Sequence, residues 1–224
     1  MQIQKFQSNH DQVDTLAIKI AEKLQEVITK KGKATLAVSG GKSPITLFEK
    51  LSKAAIDWSK VTITLVDERF TAVDHEDSNE NLVRKHLLIN NAEQAYFIGL
   101  VTTRNILTSV SNANLKIDNI DVAVLGMGED GHTASIFPCC DELDTALDTK
   151  LTTEKYLITR PKNANYERIG LSLSGILEVA NVYISISGEK KLSIIESAML
   201  APTKQYPISY VIASHCNLQI LWNA

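Results

Sequence analysis

A histidine two residues after an aspartate, in a turn rich in glycine, is the arrangement in this chain best suited to acid–base chemistry. The turn reads Gly126-Met-Gly-Glu-Asp-Gly-His132 and follows the apolar run Asp121-Val-Ala-Val-Leu125. An imidazole near its ordinary pKa of about 6.5 is mostly unprotonated at neutral pH and accepts a proton there. Asp130 is placed to orient or polarise the His132 ring, and the glycines let the backbone take positive φ and come close to a ligand. Thr133-Ala-Ser-Ile-Phe-Pro138 comes next, where Ser135 is expected to help start a helix.

Three other turns carry residues that hold anions. Ser39-Gly40-Gly41-Lys42-Ser43-Pro44 joins a β-rich run, Ala34–Val38, to a helical pattern ending near Leu51. Exposed N–H groups at a helix start favour phosphate, and glycines let it approach; a plain tight turn is the competing reading. The spacing before Lys42-Ser43 is not that of a Walker A loop. Ser43 is expected to cap that helix, with Pro44 at its first position. Asp67-Glu68-Arg69 ends the run Val61–Val66. A solvated charged turn would look the same, but at a strand end Arg69 can offer its planar fork to a phosphate or carboxylate. Gly188-Glu189-Lys190-Lys191 is a third such junction, where a lysine either closes the anion site or is simply solvated. Asp130, His132, Cys139 and Cys140 match no zinc spacing, and no Gly-x-Ser-x-Gly elbow supports a serine nucleophile.

The elements that must position these turns alternate between strand and helix. Val13, Leu16, Ala17, Ile20, Leu24, Val27 and Ile28 recur at the helical period across residues 11–30. Strands are expected at 34–38, 61–66, 121–125, 156–159, 169–173, 182–186 and, closing the chain, 218–222. Helices are expected to about Leu51, at 79–88, at 103–115 and from 188 through Met199. A polar loop spans Thr71–Ser78, and 139–155 reads as an irregular surface excursion or lid. Such alternation predicts an α/β fold, a mainly parallel open sheet with helices on both faces. Its carboxyl edge, where such sheets bind ligands, would collect all four turns.

Composition narrows the function classes. The 224 residues are 44% hydrophobic and 22% charged, as in a water-soluble globular protein. No linker, repeat or low-complexity tract divides the chain, so one domain over 1–224 is expected. A formal net charge of −3 argues against nucleic acid or an anionic membrane as partner. No apolar run approaches the roughly 20 residues of a membrane span, and the first residues lack the apolar core of a secretory signal. Three cysteines, two of them adjacent, make no disulfide framework and fit a cytoplasmic setting. Oligomeric state is not legible; a monomer and a homodimer both stay open.

The order of the motifs resembles that of the 6-phosphogluconolactonases. The matching segments are Ser39-Gly-Gly-Lys-Ser-Pro44, Asp67-Glu-Arg69, Asp77-Ser-Asn79, Gly126 through Pro138, and Gly188-x-x-Lys191, and the likeness runs from about residue 10 to the C-terminus. It implies a glucosamine-6-phosphate-deaminase-like fold (a modified Rossmann fold) and hydrolysis of 6-phospho-D-glucono-1,5-lactone, a small sugar-phosphate substrate, without metal or organic cofactor. It puts the catalytic base on His132, supported by Asp130. Phosphate contacts fall on Ser39, Gly40, Gly41 and Lys42 of the first loop, on Arg69, and on Lys191 in preference to Lys190. The family's proline-rich approach to an Arg-Ile-Thr-Leu-Thr strand is replaced here by Asn163-Ala-Asn-Tyr-Glu-Arg-Ile-Gly-Leu-Ser172, which retains Arg168. The alternatives are an amino-sugar phosphate deaminase on the same fold and a non-catalytic sugar-phosphate sensor. The deaminase pattern places a glutamate soon after the Gly-His pair, where this chain has Thr133-Ala-Ser-Ile-Phe-Pro138. The sensor is disfavoured by the intact Asp130–His132 pair and by the lack of a DNA-binding segment.

Overall fold

A computed structural model describes residues 2–41 and 43–224. In chain order the strands are β1 (Ile3–Phe6), β2 (Ala34–Val38), β3 (Val61–Leu65), β4 (Asp67–Arg69) and β5 (Tyr96–Phe97). The second half adds β6 (Val122–Leu125), β7 (Tyr156–Thr159), β8 (Arg168–Leu171), β9 (Asn181–Ser187) and β10 (Leu218–Asn223). The helices are α1 (Asn9–Lys31), α2 (Ile45–Leu51), α3 (Asn79–His86), α4 (Ile106–Lys116), α5 (Leu143–Leu147), α6 (Leu173–Leu177), α7 (Glu189–Ala198) and α8 (Ile208–Ser214).

Seven strands form one parallel sheet in the order β1-β10-β9-β6-β2-β3-β5. Every residue of β6 is buried, as are Leu36, Ala37 and Val38 of β2, so neighbouring residues that point to opposite faces are both covered. On α1 the apolar stripe Val13, Leu16, Ile20, Leu24 and Val27 is buried. The Ser8 hydroxyl accepts the Asp11 N–H at 3.1 Å, and Gly32 ends the helix at φ 79. No described helix is long and apolar enough to cross a membrane.

Several expectations need correction. β7 and β8 are not in the main sheet; with β4 they make a three-stranded antiparallel sheet in the order β4-β8-β7. The connection at residues 160–167 is shorter than the dozen or so residues that a parallel crossover requires, which forces a hairpin. The closing strand forms as expected, as β10, and lies between β1 and β9. α2 starts at Ile45: Pro44, not Ser43, is its cap, and the Pro44 carbonyl accepts from Phe48 N at 2.9 Å. The segment 139–155 is not irregular throughout, because α5 buries Leu143, Ala146 and Leu147.

Candidate active site

The chain order reverses between β2 and β6, which are neighbours in the sheet: β3 and β5 extend it one way, β9 and β10 the other. A crevice opens where the connections diverge. Ser39 bridges it, its hydroxyl donating to the Val124 carbonyl at 3.0 Å and accepting from Gly126 N at 3.2 Å. Beside it lies a cavity of 380 Å³. Ser39, Gly40 and Gly41 line it from β2, Asp67 and Arg69 from β4, Gly126, Gly128 and His132 from the turn after β6, and Lys191 from α7. Lys42 lies outside the described residues.

Gly128 brings the backbone so near the His132 ring that a Cβ there would stand 2.2 Å from Nδ1 and Cε1. His132 Nδ1 lies 2.6 Å from Asp130 Oδ1, and the His132 N–H donates to the same oxygen at 3.2 Å. Phe137 stacks on the imidazole with centroids 4.1 Å apart. Burial raises the Asp130 carboxyl, but the hydrogen bond and charge of His132 outweigh it and hold Asp130 below the ordinary range. An ionised carboxylate only accepts, so in the neutral ring Nδ1 carries the proton and Nε2 keeps its lone pair, with no hydrogen-bond partner among the described residues. Asp130 does not itself line the cavity; it reaches it through His132.

No helix starts at Ser135, contrary to expectation. Ala134 (φ 50) and Ser135 (φ 59) are both left-handed, and Ile136 N donates to the Thr133 carbonyl at 2.8 Å, closing a tight turn. Non-glycine residues rarely take this conformation, and here side chains hold it. The Ser135 hydroxyl donates to Asp67 Oδ2, and the Thr133 hydroxyl donates to the Gly126 carbonyl at 2.8 Å. Gly170 abuts this turn: a Cβ there would meet the Ala134 carbonyl oxygen at 2.2 Å.

The charged triplet after β3 is not a solvated turn. Glu68 is buried and its carboxylate accepts from the backbone N–H of Arg69, Asn79 and Glu80 and from the Ser78 hydroxyl, at 2.7–3.1 Å. It thereby ties the start of α3 to β4, although burial still raises its pKa. Asn79 is delivered to the cavity wall, its amide donating to the Asp67 carbonyl at 2.8 Å. Gly40 is needed for that approach, since a Cβ would stand 1.8 Å from Asn79 Oδ1.

The cations sort themselves by partner. Lys190 is exposed and pairs with Glu129 at 2.5 Å, whereas Lys191 faces the cavity. Arg69 donates to the Asp77 carbonyl at 2.6 Å and Arg168 to the Asn165 carbonyl at 3.0 Å. Among the described residues Arg69, Arg168 and Lys191 form no ion pair. Burial lowers the pKa of the Arg168 guanidinium, a cost that a bound anion would offset. Arg168 Nε and Asn79 Oδ1 are buried without a hydrogen-bond partner among the described residues, and both residues line the cavity, leaving a donor and an acceptor for a polar ligand.

Sequence reasoning did not single out Asp67, Asn79 or Gln12 as site residues. Asp67 and Asn79 stood inside the quoted motifs. Gln12 is a buried amide on the apolar stripe of α1, donating to the carbonyls of Leu221 (2.7 Å) and Ile186 (3.1 Å) and so bracing the ends of β10 and β9.

A parallel α/β sheet with a carboxylate-oriented imidazole and unpaired cations at its switch point defines the class: an open-sheet domain with a polar small-molecule site. The chain belongs to the glucosamine-6-phosphate isomerase/6-phosphogluconolactonase family, whose model matches residues 7–222. A 6-phosphogluconolactonase of Neisseria meningitidis serogroup A is 39% identical over 214 residues, covering 93% of this chain and 92% of that protein. The crystal structure of a 6-phosphogluconolactonase from Shewanella baltica OS155 matches with a TM-score of 0.92 at 40% identity, covering 99% of this chain and 97% of that one. A monomeric glucosamine-6-phosphate deaminase, with a TM-score of 0.83 at 14% identity, shares the fold.

Proposed function

We propose that this chain, acting as one domain, hydrolyses 6-phospho-D-glucono-1,5-lactone to 6-phospho-D-gluconate, the lactone-opening step of the oxidative pentose phosphate pathway. One observation carries the mechanism: His132 is oriented by Asp130 in the same cavity that Arg69, Arg168 and Lys191 line. The phosphate is gripped by the Ser39–Gly41 loop, Arg69, Arg168 and Lys191, which fixes the lactone ring beside the imidazole.

His132 Nε2 takes a proton from a water molecule as its oxygen bonds to the lactone carbonyl carbon. Asp130 stabilises the imidazolium that forms. The carbonyl oxygen becomes an oxyanion, with backbone N–H groups of the glycine turns as its donors. The tetrahedral intermediate collapses by breaking the bond from that carbon to the ring oxygen, which takes the proton back from His132. The carboxylic acid so formed releases its proton to solvent. Acid–base help of this kind is worth about 10²–10⁴-fold, and a delta-lactone is reactive enough to need no covalent intermediate. A cytoplasmic setting goes with this reading.

The test is acid release from freshly generated lactone, followed against spontaneous hydrolysis with and without a chelator. The proposal expects acceleration that the chelator does not change. Absence of acceleration, a chelator-sensitive rate, or ammonia release from glucosamine 6-phosphate would each contradict it.

A further inference from the structure

The loop between β7 and β8 reaches the cavity and is fastened to the loop before α3 by one side chain. Residues 160–167 link β7 to β8, and Ala164 lines the cavity. Within this loop Tyr166 has φ 69, a left-handed conformation that a bulky residue adopts only when its surroundings hold it there. Its hydroxyl donates to Asp77 Oδ2 at 3.0 Å, which raises the phenol's pKa, and its ring meets the edge of His75. On its outer flank the loop is tied down by Cys139 Sγ to Asn163 at 3.0 Å, Lys162 to Asp141 at 2.5 Å and Arg160 to Glu142 at 2.8 Å.

The phenol's bond joins the two loops whose carbonyls aim the arginines. The Asp77 carbonyl accepts from Arg69, and the carbonyl of Asn165, next to Tyr166, accepts from Arg168. Arg69 and Arg168 stand directly opposite each other in the β4–β8 pairing, and both line the cavity. Like charges so placed repel, and without restraint they would swing apart into solvent.

We propose that Tyr166 is a positioning residue: its hydroxyl latches the 160–167 loop to the loop before α3 and thereby holds Arg69 and Arg168 converged on the substrate's phosphate. This rests on the reading that these arginines bind phosphate.

The test compares Tyr166→Phe with wild type in lactone kinetics and in calorimetric binding of inorganic phosphate. The latch predicts a KM and a phosphate Kd each raised about tenfold, the loss of one charge-assisted hydrogen bond, with kcat within about twofold and the thermal midpoint lowered by no more than a few degrees. Asp77→Ala should match it, while Asp77→Asn, which keeps an acceptor, should recover most of the affinity. Unchanged KM and phosphate Kd in Tyr166→Phe, or a fall in kcat alone, would overturn the latch. The phosphate arm needs no turnover, so a wild type that binds phosphate but leaves the lactone untouched would count against the proposed function and not against the latch.

Discussion

Adding one methyl group to Gly128 should disable the site without removing any reacting group. The Cβ of an alanine there would stand 2.2 Å from His132 Nδ1 and Cε1 and 2.6 Å from Asp130 Oδ1. Ordinary contact begins at 3.4 Å, so the ring must retreat by about 1.2 Å or rotate out of plane. Phe137, stacked at 4.1 Å, restricts that retreat, and the 2.6 Å bond to Asp130 has no slack to absorb it. Displacements of roughly 1 Å at a reacting group cost on the order of 10²-fold in rate. Gly128→Ala is therefore expected to lower kcat about 100-fold while KM for the lactone stays within about threefold, because no phosphate contact has moved. The assay is stopped-flow acid release at saturating lactone, with thermal unfolding to confirm an intact fold. A folded Gly128→Ala protein with wild-type kcat would refute the geometric argument.

Arg69→Ala and Lys191→Ala should each raise KM for the lactone, and Ki for 6-phosphogluconate, about 10- to 100-fold, the worth of a hydrogen bond to a charged group; unchanged values for both would remove them from the phosphate site. Glu68→Ala leaves buried N–H groups at the start of α3 without an acceptor, and chemical denaturation should show a loss of about 3 kcal/mol or more. For Asp130 the folded-state pKa lies below the unfolded value near 3.9. Its stabilising contribution is thus complete above about pH 4 and fades as pH falls through the folded value. Asp130→Asn should flatten that acid limb in a series of unfolding curves, and an unaltered limb would contradict the assignment.

Much of the main sheet was legible because β2, β3, β6 and β9 are buried on both faces and read as short apolar runs ending in glycine or charge. α1 was legible from its stripe, although Gln12 hid within it, since a buried amide leaves no mark on hydrophobic periodicity. β4 was not legible: Asp67-Glu68-Arg69 is a strand only because β8 pairs with it, and tertiary pairing overrides propensity there. α5 and α6, five residues each, are too short to show a period. β1 lies at the sheet edge with just four residues, and β5 has two. The cavity-lining residues Ser39, Arg69, His132 and Lys191 were legible as types suited to their chemistry at strand ends. The left-handed pair Ala134–Ser135 was not, because nothing in the identities of these residues announces positive φ; bonds from Ser135 to Asp67 and from Thr133 to the Gly126 carbonyl, both partners outside the turn, impose it.

The central claim is that a neutral imidazole at position 132, and no metal, activates the attacking water. His132→Ala, assayed for acid release at saturating lactone, tests it most directly. The account predicts a fall in kcat of at least about 100-fold with 6-phosphogluconate binding retained. Hydrolysis at the wild-type rate would contradict it.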